Sequence, residues 1–202
     1  GLIKRSSIEE YSKPRRGGIK AIKLKEGDRL VGVLTSSFDE DIFLATANGF
    51  CIRFPQKELR EIGRVAQGVR GISLREGDEV VSLSLCDKPT ILTVCENGYG
   101  KRTRVEDYRL QGRGGFGIIN IKTTSRNGKV VCAKAVSDDS EVLLLSSNNH
   151  AIRIPASNIG IIGRHTQGVR LMKLEKNEKI VAMEYIEGDS DSESIKREEG
   201  KN

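Results

Sequence analysis

Four short stretches rich in glycine and arginine recur along the chain with a period of about 50 residues. They are residues 14–18, 63–68, 112–117 and 163–168. Glycine lets a backbone approach a phosphate closely, and a neighbouring arginine supplies paired N–H donors to phosphate oxygens. The stretches therefore favour binding to a phosphate-rich polyanion. The alternative is a solvated loop surface, which is the ordinary role of charged turns.

Positive charge is densest around the third stretch. The chain has a formal net charge of +6, and residues 1–187 carry +8 because residues 188–202 hold five acids and three bases. Residues 95–134 alone hold nine bases and three acids. A DNA duplex presents one charge per about 1.7 Å of axis, so basic turns along a curved rim could follow it. The bases predicted to contact DNA are Lys101, Arg102, Arg104, Arg109, Arg113, Arg15, Arg16, Arg64 and Arg164.

One arginine position in the repeat has a second interpretation. Arg5, Arg53, Arg102 and Arg153 each stand four residues after the second residue of a turn. A position held by arginine in every unit could equally form structural ion pairs. Arg102 is kept among the DNA contacts because its neighbours are also basic.

The sequence shows no complete motif for catalysis or cofactor binding. Residues 112–117 match the glycine pattern of dinucleotide-binding loops, but residues 118–121 indicate a strand where that motif requires a helix. The two histidines lack metal-ligand partners at suitable spacing, and the acids at 39–41 and 138–139 are typical of solvated turns. We expect neither a catalytic residue nor a cofactor in this chain.

Tyrosine and cysteine are the remaining candidate nucleophiles. Tyr11 and Tyr108 share a repeat position with Leu59 and Ile159, so they are predicted to pack, and Tyr99 is placed in a turn. The four cysteines show no CxxC spacing, which favours reduced buried thiols in a cytosolic protein.

Short apolar runs separate the glycine–arginine stretches and must position them. The runs are rich in Val, Ile and Leu and are bounded by Gly, Asn and Asp, which is typical of strands joined by tight turns. We predict an all-β protein of four units, each a blade of about four antiparallel strands, as in a β-propeller or β-pinwheel. The units are residues 1–47, 48–96, 97–147 and 148–187, and a β-sandwich is the alternative.

The ends of the repeat suggest strand sharing between blades. Unit one begins after a turn whose preceding strand is missing, and unit four stops after its third run. Shared strands would repair such exposed edges. In unit one, the third run is residues 30–34, and the polar segment 188–202 is expected to be disordered. No apolar run approaches the ~18 residues of a membrane span, and the first five residues resemble a cut inside a longer protein rather than a signal peptide.

Residues 96–103, 112–115 and 163–170 closely resemble the C-terminal domain of DNA gyrase A subunits, and the likeness runs from Gly1 to about Ile186. The resemblance implies a six-bladed β-pinwheel that exchanges strands between blades and wraps DNA around a basic rim. This chain would supply four consecutive blades of that ring, without the first two. Residues 111–117 resemble a degenerate copy of the family's wrapping box, with Gly112 and Phe116 at two basic positions.

The resemblance also implies a function and partners. The chain would bend duplex DNA, largely independently of sequence, to support ATP-dependent negative supercoiling in the bacterial cytoplasm. Its partners would be the rest of the A subunit, together with the B subunit, in a heterotetramer. The catalytic tyrosine would lie upstream, and ATP and Mg²⁺ would bind other parts of that enzyme.

Three alternatives remain open at this point. The related domain of the topoisomerase IV A subunit would serve decatenation. A propeller used as a protein-interaction scaffold would need no basic rim. An enzyme with a site at the central channel would need convergent acids or histidines.

Overall fold

The structure is a computed structural model that describes residues 1–14, 16–37 and 39–187. Its regular elements are short strands and four single-turn 3₁₀ helices, which confirms the all-β prediction. The strands are β1 (Leu2–Ile3), β2 (Asp41–Thr46), β3 (Phe50–Pro55), β4 (Val69–Arg70), β5 (Val80–Leu85), β6 (Thr90–Cys95), β7 (Tyr99–Arg104), β8 (Ile118–Ile119), β9 (Val130–Val136), β10 (Glu141–Ser146), β11 (Ala151–Pro155), β12 (Val169–Arg170) and β13 (Ile180–Ile186). The 3₁₀ helices are η1 (Ile8–Tyr11), η2 (Gln56–Glu58), η3 (Val105–Asp107) and η4 (Ala156–Asn158).

The strands form four antiparallel sheets, which are the blades. Two sheets have four strands, in the orders β5-β2-β3-β8 and β12-β7-β6-β9. The third sheet, β11-β10-β13, has three strands, and β1 pairs with β4 alone. Tight turns at residues 48–49, 97–98 and 148–149 close the hairpins β2–β3, β6–β7 and β10–β11, and each turn has its second residue at positive φ.

Neighbouring units exchange their short strands. β4, β8 and β12 each pair with a strand of the unit before their own, namely β1, β3 and β7. A glycine at positive φ precedes each short strand, and a Cβ on Gly117 would lie 2.1 Å from the carbonyl oxygen of Cys51. Only glycine allows the backbones to approach so closely, which explains why glycine ends the second, third and fourth glycine–arginine stretches.

The strands β5, β9 and β13 lie side by side across the blades. Ser82 Oγ donates to the Ala133 carbonyl at 2.7 Å, and the Ala135 amide donates to Ser84 Oγ at 3.0 Å, which joins β5 to β9. Lys134 of β9 pairs with Glu184 of β13. These strands therefore form the inner side of the blades, because β8 and β12 occupy the edges opposite β5 and β9 in the two four-stranded sheets. Between the inner and outer strands, aliphatic side chains pack into the core clusters.

The strand predicted for residues 30–34 is wrong. Residues 16–37 contain no strand, and Leu30, Val33 and Leu34 are exposed. The equivalent runs β5, β9 and β13 pair with β2, β6 and β10. The described residues hold no corresponding strand beside residues 30–34, so the backbone hydrogen bonds that would order the run as a strand are missing.

No helix within the described residues is long and apolar enough to cross a membrane. The segment 188–202, predicted to be disordered, lies outside the described residues.

Candidate nucleic-acid interface

A continuous outer belt follows the four 3₁₀ helices. We define it as residues 12–23, 60–73, 109–122 and 160–173, each running from the end of a 3₁₀ helix through the short-strand region. The three later segments wrap the outer edge of the preceding unit. Arg53 bridges Leu110 and Arg102 bridges Ile161 in parallel pairs, before β8 and β12 add their antiparallel pairs to the same strands.

An arginine ladder ties each belt segment to the one before it. Arg64 Nη1 donates to the Lys20 carbonyl at 2.8 Å, and Arg113 Nη1 donates to the Arg70 carbonyl at 3.0 Å. Arg164 Nη1 donates to the Ile119 carbonyl at 2.7 Å. The acceptors hold equivalent places in successive units. The arginines predicted from the glycine–arginine stretches therefore connect blades as well as carrying charge to the rim.

Backbone hydrogen bonds make the belt continuous. The amides of Lys23, Ser73 and Lys122 donate to carbonyls in the next unit's glycine–arginine stretch, at 3.2, 2.8 and 2.9 Å. Each segment thus contacts the following one at two places three residues apart. The belt is one surface rather than four separate loops.

The belt separates the charges of the chain. Its sequence holds fourteen Lys or Arg and one acid, Glu61, whereas the remainder of the chain holds 20 bases and 27 acids. The belt therefore carries +13 and the remainder −7. A count of charge along the sequence indicated the third unit as the most basic region. In the fold, bases of all four units instead lie on equivalent segments of the belt. Among the described residues, the exposed bases on the belt are Lys13, Arg16, Lys20, Lys23, Arg60, Arg70, Arg109, Arg113, Lys122, Arg170 and Lys173.

The predicted DNA contacts fall into distinct groups. Arg16, Arg109 and Arg113 are exposed on the belt, and Arg64 and Arg164 are half-buried there by the ladder. Arg104 is exposed just before the belt, with Glu106 at 3.7 Å. Their contact with DNA stays a prediction. Arg15 lies outside the described residues.

Lys101 and Arg102 do not face outward as predicted, because both side chains are buried. Lys101 Nζ donates to Thr103 Oγ1 and to the Gly163 carbonyl, both at 2.8 Å. Burial lowers the pKa of Lys101 to about 8. Arg102 Nε donates to the Ile159 carbonyl at 2.8 Å, and its Nη1 pairs with Asp138. Both side chains join one unit to the next, so neither is included in the interface.

The ion-pair interpretation of the repeated arginine is confirmed at three positions, Arg53, Arg102 and Arg153. They pair with Asp41, Asp138 and Glu141. Arg53 also donates to the Val105 and Tyr108 carbonyls of the next unit. The acids at 41 and 138 are therefore structural partners rather than merely solvated turn residues. Asp41 and Glu141 each begin a strand that pairs with the strand of their arginine, and this repetition was the available sequence signal, whereas Asp138 lies in the loop before β10.

The tyrosine predictions hold in part. Tyr108 is buried like Leu59 and Ile159, donates to Asn120 Oδ1 at 2.7 Å, and packs edge-on against Phe43. Tyr99 is not in a turn but begins β7, with 8% of its surface exposed. Two arginines, Arg126 and Arg170, lie against its ring.

All four cysteines are free thiols, and Cys51, Cys95 and Cys132 are buried. Burial raises the pKa of Cys86 and of Cys95 to about 12, and it also raises the pKa of Cys51 and Cys132. Thiols with such raised pKa values are poor nucleophiles at neutral pH. Within 1–14, 16–37 and 39–187, no group of three or more His, Cys, Asp or Glu side chains could hold a metal ion.

Comparisons with known proteins agree with this architecture. The DNA gyrase C-terminal domain, beta-propeller family matches residues 1–37, 40–87, 89–137 and 140–187. The DNA gyrase A subunit of Lawsonia intracellularis is 45% identical over 195 residues, which cover 95% of this chain and 24% of that protein. The chain thus spans about a quarter of that relative's length.

Two solved structures share the fold. The DNA gyrase A C-terminal domain superimposes with a TM-score of 0.77 at 31% identity, over 85% of this chain and 59% of that one. The C-terminal domain of DNA topoisomerase IV gives a TM-score of 0.88 at 22% identity, over 98% and 62%, a likeness of fold alone. With four exchanged blades, a basic belt and a family match along nearly its whole length, the chain belongs to the β-propeller family formed by the C-terminal domains of DNA gyrase A subunits.

Proposed function

We propose that this chain binds duplex DNA along the outer belt and bends it around the blades, as part of a gyrase A subunit. The observation that carries the proposal is the separation of charge, +13 on the belt against −7 elsewhere. A surface with only a structural role does not require basic and acidic residues to be separated, because interspersed charges would give the chain the same net charge.

The belt suits phosphate contact more than base reading. Its bases stand on irregular loops and two-residue strands, and the described part of the chain presents only single-turn helices, too short to enter a major groove. Contacts to phosphates fix the position of the duplex without reading its sequence. Bending a few tens of base pairs costs on the order of 1–6 kcal/mol, which the phosphate contacts must offset.

The ladder gives the belt the rigidity that bending requires. Because Arg64, Arg113 and Arg164 bond to backbone carbonyls of the preceding unit, the belt holds its curve before DNA arrives. A preformed surface loses less conformational entropy on binding. The duplex, rather than the protein, would then change shape.

Sequence identity favours gyrase over topoisomerase IV as the parent enzyme. Among the solved structures, identity is 31% with the gyrase A C-terminal domain and 22% with the topoisomerase IV domain. We therefore place the chain in a bacterial cytoplasmic gyrase, where it would present bent DNA for ATP-dependent negative supercoiling. Its partners would be the rest of the A subunit, together with the B subunit.

The test is DNA affinity as a function of salt. We would measure fluorescence anisotropy of a labelled duplex with the wild type and with Arg70→Gln, Arg109→Gln, Lys122→Gln combined. The plot of log affinity against log salt should have a slope of about −0.9 per neutralised phosphate. The triple variant should flatten the slope by about 3, since each residue would contact about one phosphate.

A matched control removes the same charge elsewhere. Arg29, Lys129 and Lys176 are exposed outside the belt, and their combined change to Gln should leave the slope nearly unchanged. If both triple variants flatten the salt slope equally, the attraction is non-specific and follows net charge, which would refute the belt as the DNA-binding surface. A flat salt plot for the wild type would eliminate DNA binding, leaving the scaffold alternative.

Wrapping is measured separately, as the change in linking number that the protein fixes in a relaxed plasmid treated with an unrelated relaxing enzyme. The wild type should shift the topoisomer distribution and the belt triple should not. Binding without any shift would refute bending while leaving DNA binding intact.

A further inference from the structure

Tyr99 contacts two exposed arginines contributed by different units. The guanidinium carbon of Arg126 is 4.8 Å from the ring centroid, and that of Arg170 is 5.5 Å from it. Arg170 Nη2 also donates to the Tyr99 hydroxyl at 2.9 Å. Arg126 belongs to the turn before β9, and Arg170 belongs to β12 of the following unit. One ring thus orients two cations that the sequence places 44 residues apart.

The same position in the neighbouring blade is used differently. Phe50 begins β3 as Tyr99 begins β7, and the Arg75 guanidinium lies 3.5 Å from its ring centroid. Arg75 Nη1 donates to the Phe116 carbonyl at 2.9 Å, and the Phe116 ring is the second aromatic group near it. Arg75 is therefore committed to contacts within the protein. At Tyr99, a second guanidinium takes the place of those contacts.

The arginine pair flanks a groove of about 430 Å³ that is rich in donors. Lys173 and Lys179 line the groove, and Lys179 is 3.5 Å from Glu96. Two acids also line the groove: Glu175 is exposed, and the buried Glu178 carboxylate accepts from Ser146, His150 and the Glu175 amide. Among the described residues, no acid within 4 Å pairs with Arg126 or Arg170.

We propose that Arg126 and Arg170 form a two-armed clamp for one phosphodiester of bound DNA, with Tyr99 as the positioning residue that sets their spacing. The proposal rests on the proposed function, because the phosphate belongs to the duplex on the belt. It extends the interface beyond the belt, since Arg126 lies outside it while Arg170 lies within it.

The clamp follows from the chemistry of the three groups. Guanidinium groups bind phosphate oxygens through pairs of N–H donors, and stacking on an aromatic face leaves their edges available. Two guanidinium groups near one ring repel each other, which a bound anion would relieve. The same positive field lowers the pKa of the Tyr99 phenol, with the hydrogen bond from Arg170 as the largest cause.

The first test is a double-mutant cycle on DNA affinity at fixed salt. Arg126→Gln and Arg170→Gln should each weaken binding by about 3- to 10-fold. The double variant should weaken binding by clearly less than the product of the two factors, because both arms hold one phosphate. Arg75→Gln is the matched control and should change affinity by less than about 2-fold, since its guanidinium already bonds to the Phe116 carbonyl.

The second test examines the ring. Tyr99→Phe keeps the stacking surface, whereas Tyr99→Leu removes it and should reproduce most of the double variant's loss. Thermal melting checks that Tyr99→Leu remains folded. As an independent readout, NMR of tyrosine labelled at Cζ follows the Tyr99 pKa, which should rise on adding duplex DNA to the wild type. It should not rise in the double variant.

The outcomes separate this proposal from the proposed function. If Arg126→Gln and Arg170→Gln leave affinity and the Tyr99 pKa response unchanged while the belt triple still weakens binding, the clamp is refuted and the belt stands. Multiplicative single-variant losses would show two independent phosphate contacts and would also refute a shared clamp. If the belt triple has no effect either, the proposed function fails.

Discussion

Arg102 and Arg109 are seven residues apart, and both were predicted from the sequence to contact DNA, but the structure buries the first and exposes the second. The Arg102 side chain is 4% exposed, donates to the Ile159 carbonyl of the next unit and pairs with Asp138 of its own unit. Arg109 is exposed on the belt. We predict that Arg102→Met lowers stability without changing DNA affinity, and that Arg109→Gln does the reverse.

The magnitude for Arg102→Met follows from what the substitution leaves behind. Methionine keeps part of the buried aliphatic stem, so the loss of stability comes mainly from the lost hydrogen bond and ion pair. The Ile159 carbonyl would lose a charged donor, and a hydrogen bond to a charged group contributes about 1.5–3 kcal/mol. The Asp138 side chain is 76% exposed and regains water, so breaking its ion pair adds less than about 1 kcal/mol. The expected loss is about 3 kcal/mol, or about 6–12 °C in Tm for a chain of this size.

The assay compares urea denaturation and DNA anisotropy on the same two variants. Arg109→Gln should weaken DNA binding by about 3- to 10-fold while its free energy of unfolding stays within about 0.5 kcal/mol of wild type. DNA affinity of the Arg102→Met protein is measured well below its unfolding midpoint. The reasoning is refuted if Arg102→Met reduces DNA affinity as much as Arg109→Gln does, or if its stability equals that of the wild type.

Two further predictions concern the strand exchange and the thiols. Gly117→Ala places a Cβ 2.1 Å from the Cys51 carbonyl oxygen, at a residue with φ +67°. It should lower the free energy of unfolding by at least about 2 kcal/mol and speed amide exchange in β8. The control Gly63→Ala, whose Cβ meets open space, should lower it by less than about 1 kcal/mol. The raised pKa values of Cys51, Cys86 and Cys95 keep these thiols protonated in the folded state up to about pH 12, whereas unfolded thiols ionise near pH 8.5. The unfolded state therefore binds fewer protons than the folded state above about pH 9, and stability should fall as pH rises, by up to about 1.4 kcal/mol per pH unit for each thiol. Denaturation at pH 8 and pH 10 should show that Cys95→Ala lessens this fall, and an identical fall in the variant would contradict the assignment.

The regular part of the fold could be predicted from the sequence because its signals are local. Tight turns such as Asn97-Gly98 and the short apolar runs between them identify hairpins without reference to distant residues. The exchange of strands was predictable from the unequal ends of the repeat. The prediction of a strand at residues 30–34 was wrong because a strand also needs a hydrogen-bonding neighbour, which composition does not reveal.

The interface was harder to predict because charge does not report burial. Lys101 resembles its basic neighbours in sequence, yet its side chain is buried among carbonyls of the next unit. Arg170 was not proposed as a DNA contact from the sequence, because its contact with Tyr99 joins residues 71 positions apart. Aligning the four units by their positive-φ glycines would have placed Lys20, Arg70 and Arg170 in one row, which is the signal that a count of charges along the chain could not provide.

Because each later unit pairs a strand with the unit before it, a pulling force on the molecule would follow a defined path through the strands. Pulling on β12 strains the hairpin that contains β7, and pulling on β8 strains the hairpin that contains β3, so tension passes from blade to blade toward the N-terminus. Each junction between units combines backbone hydrogen bonds of the short strand with a hydrogen bond from an arginine side chain. If the belt bends a duplex as proposed, a duplex that straightens would load these junctions in series, so each junction it crosses would carry the full tension.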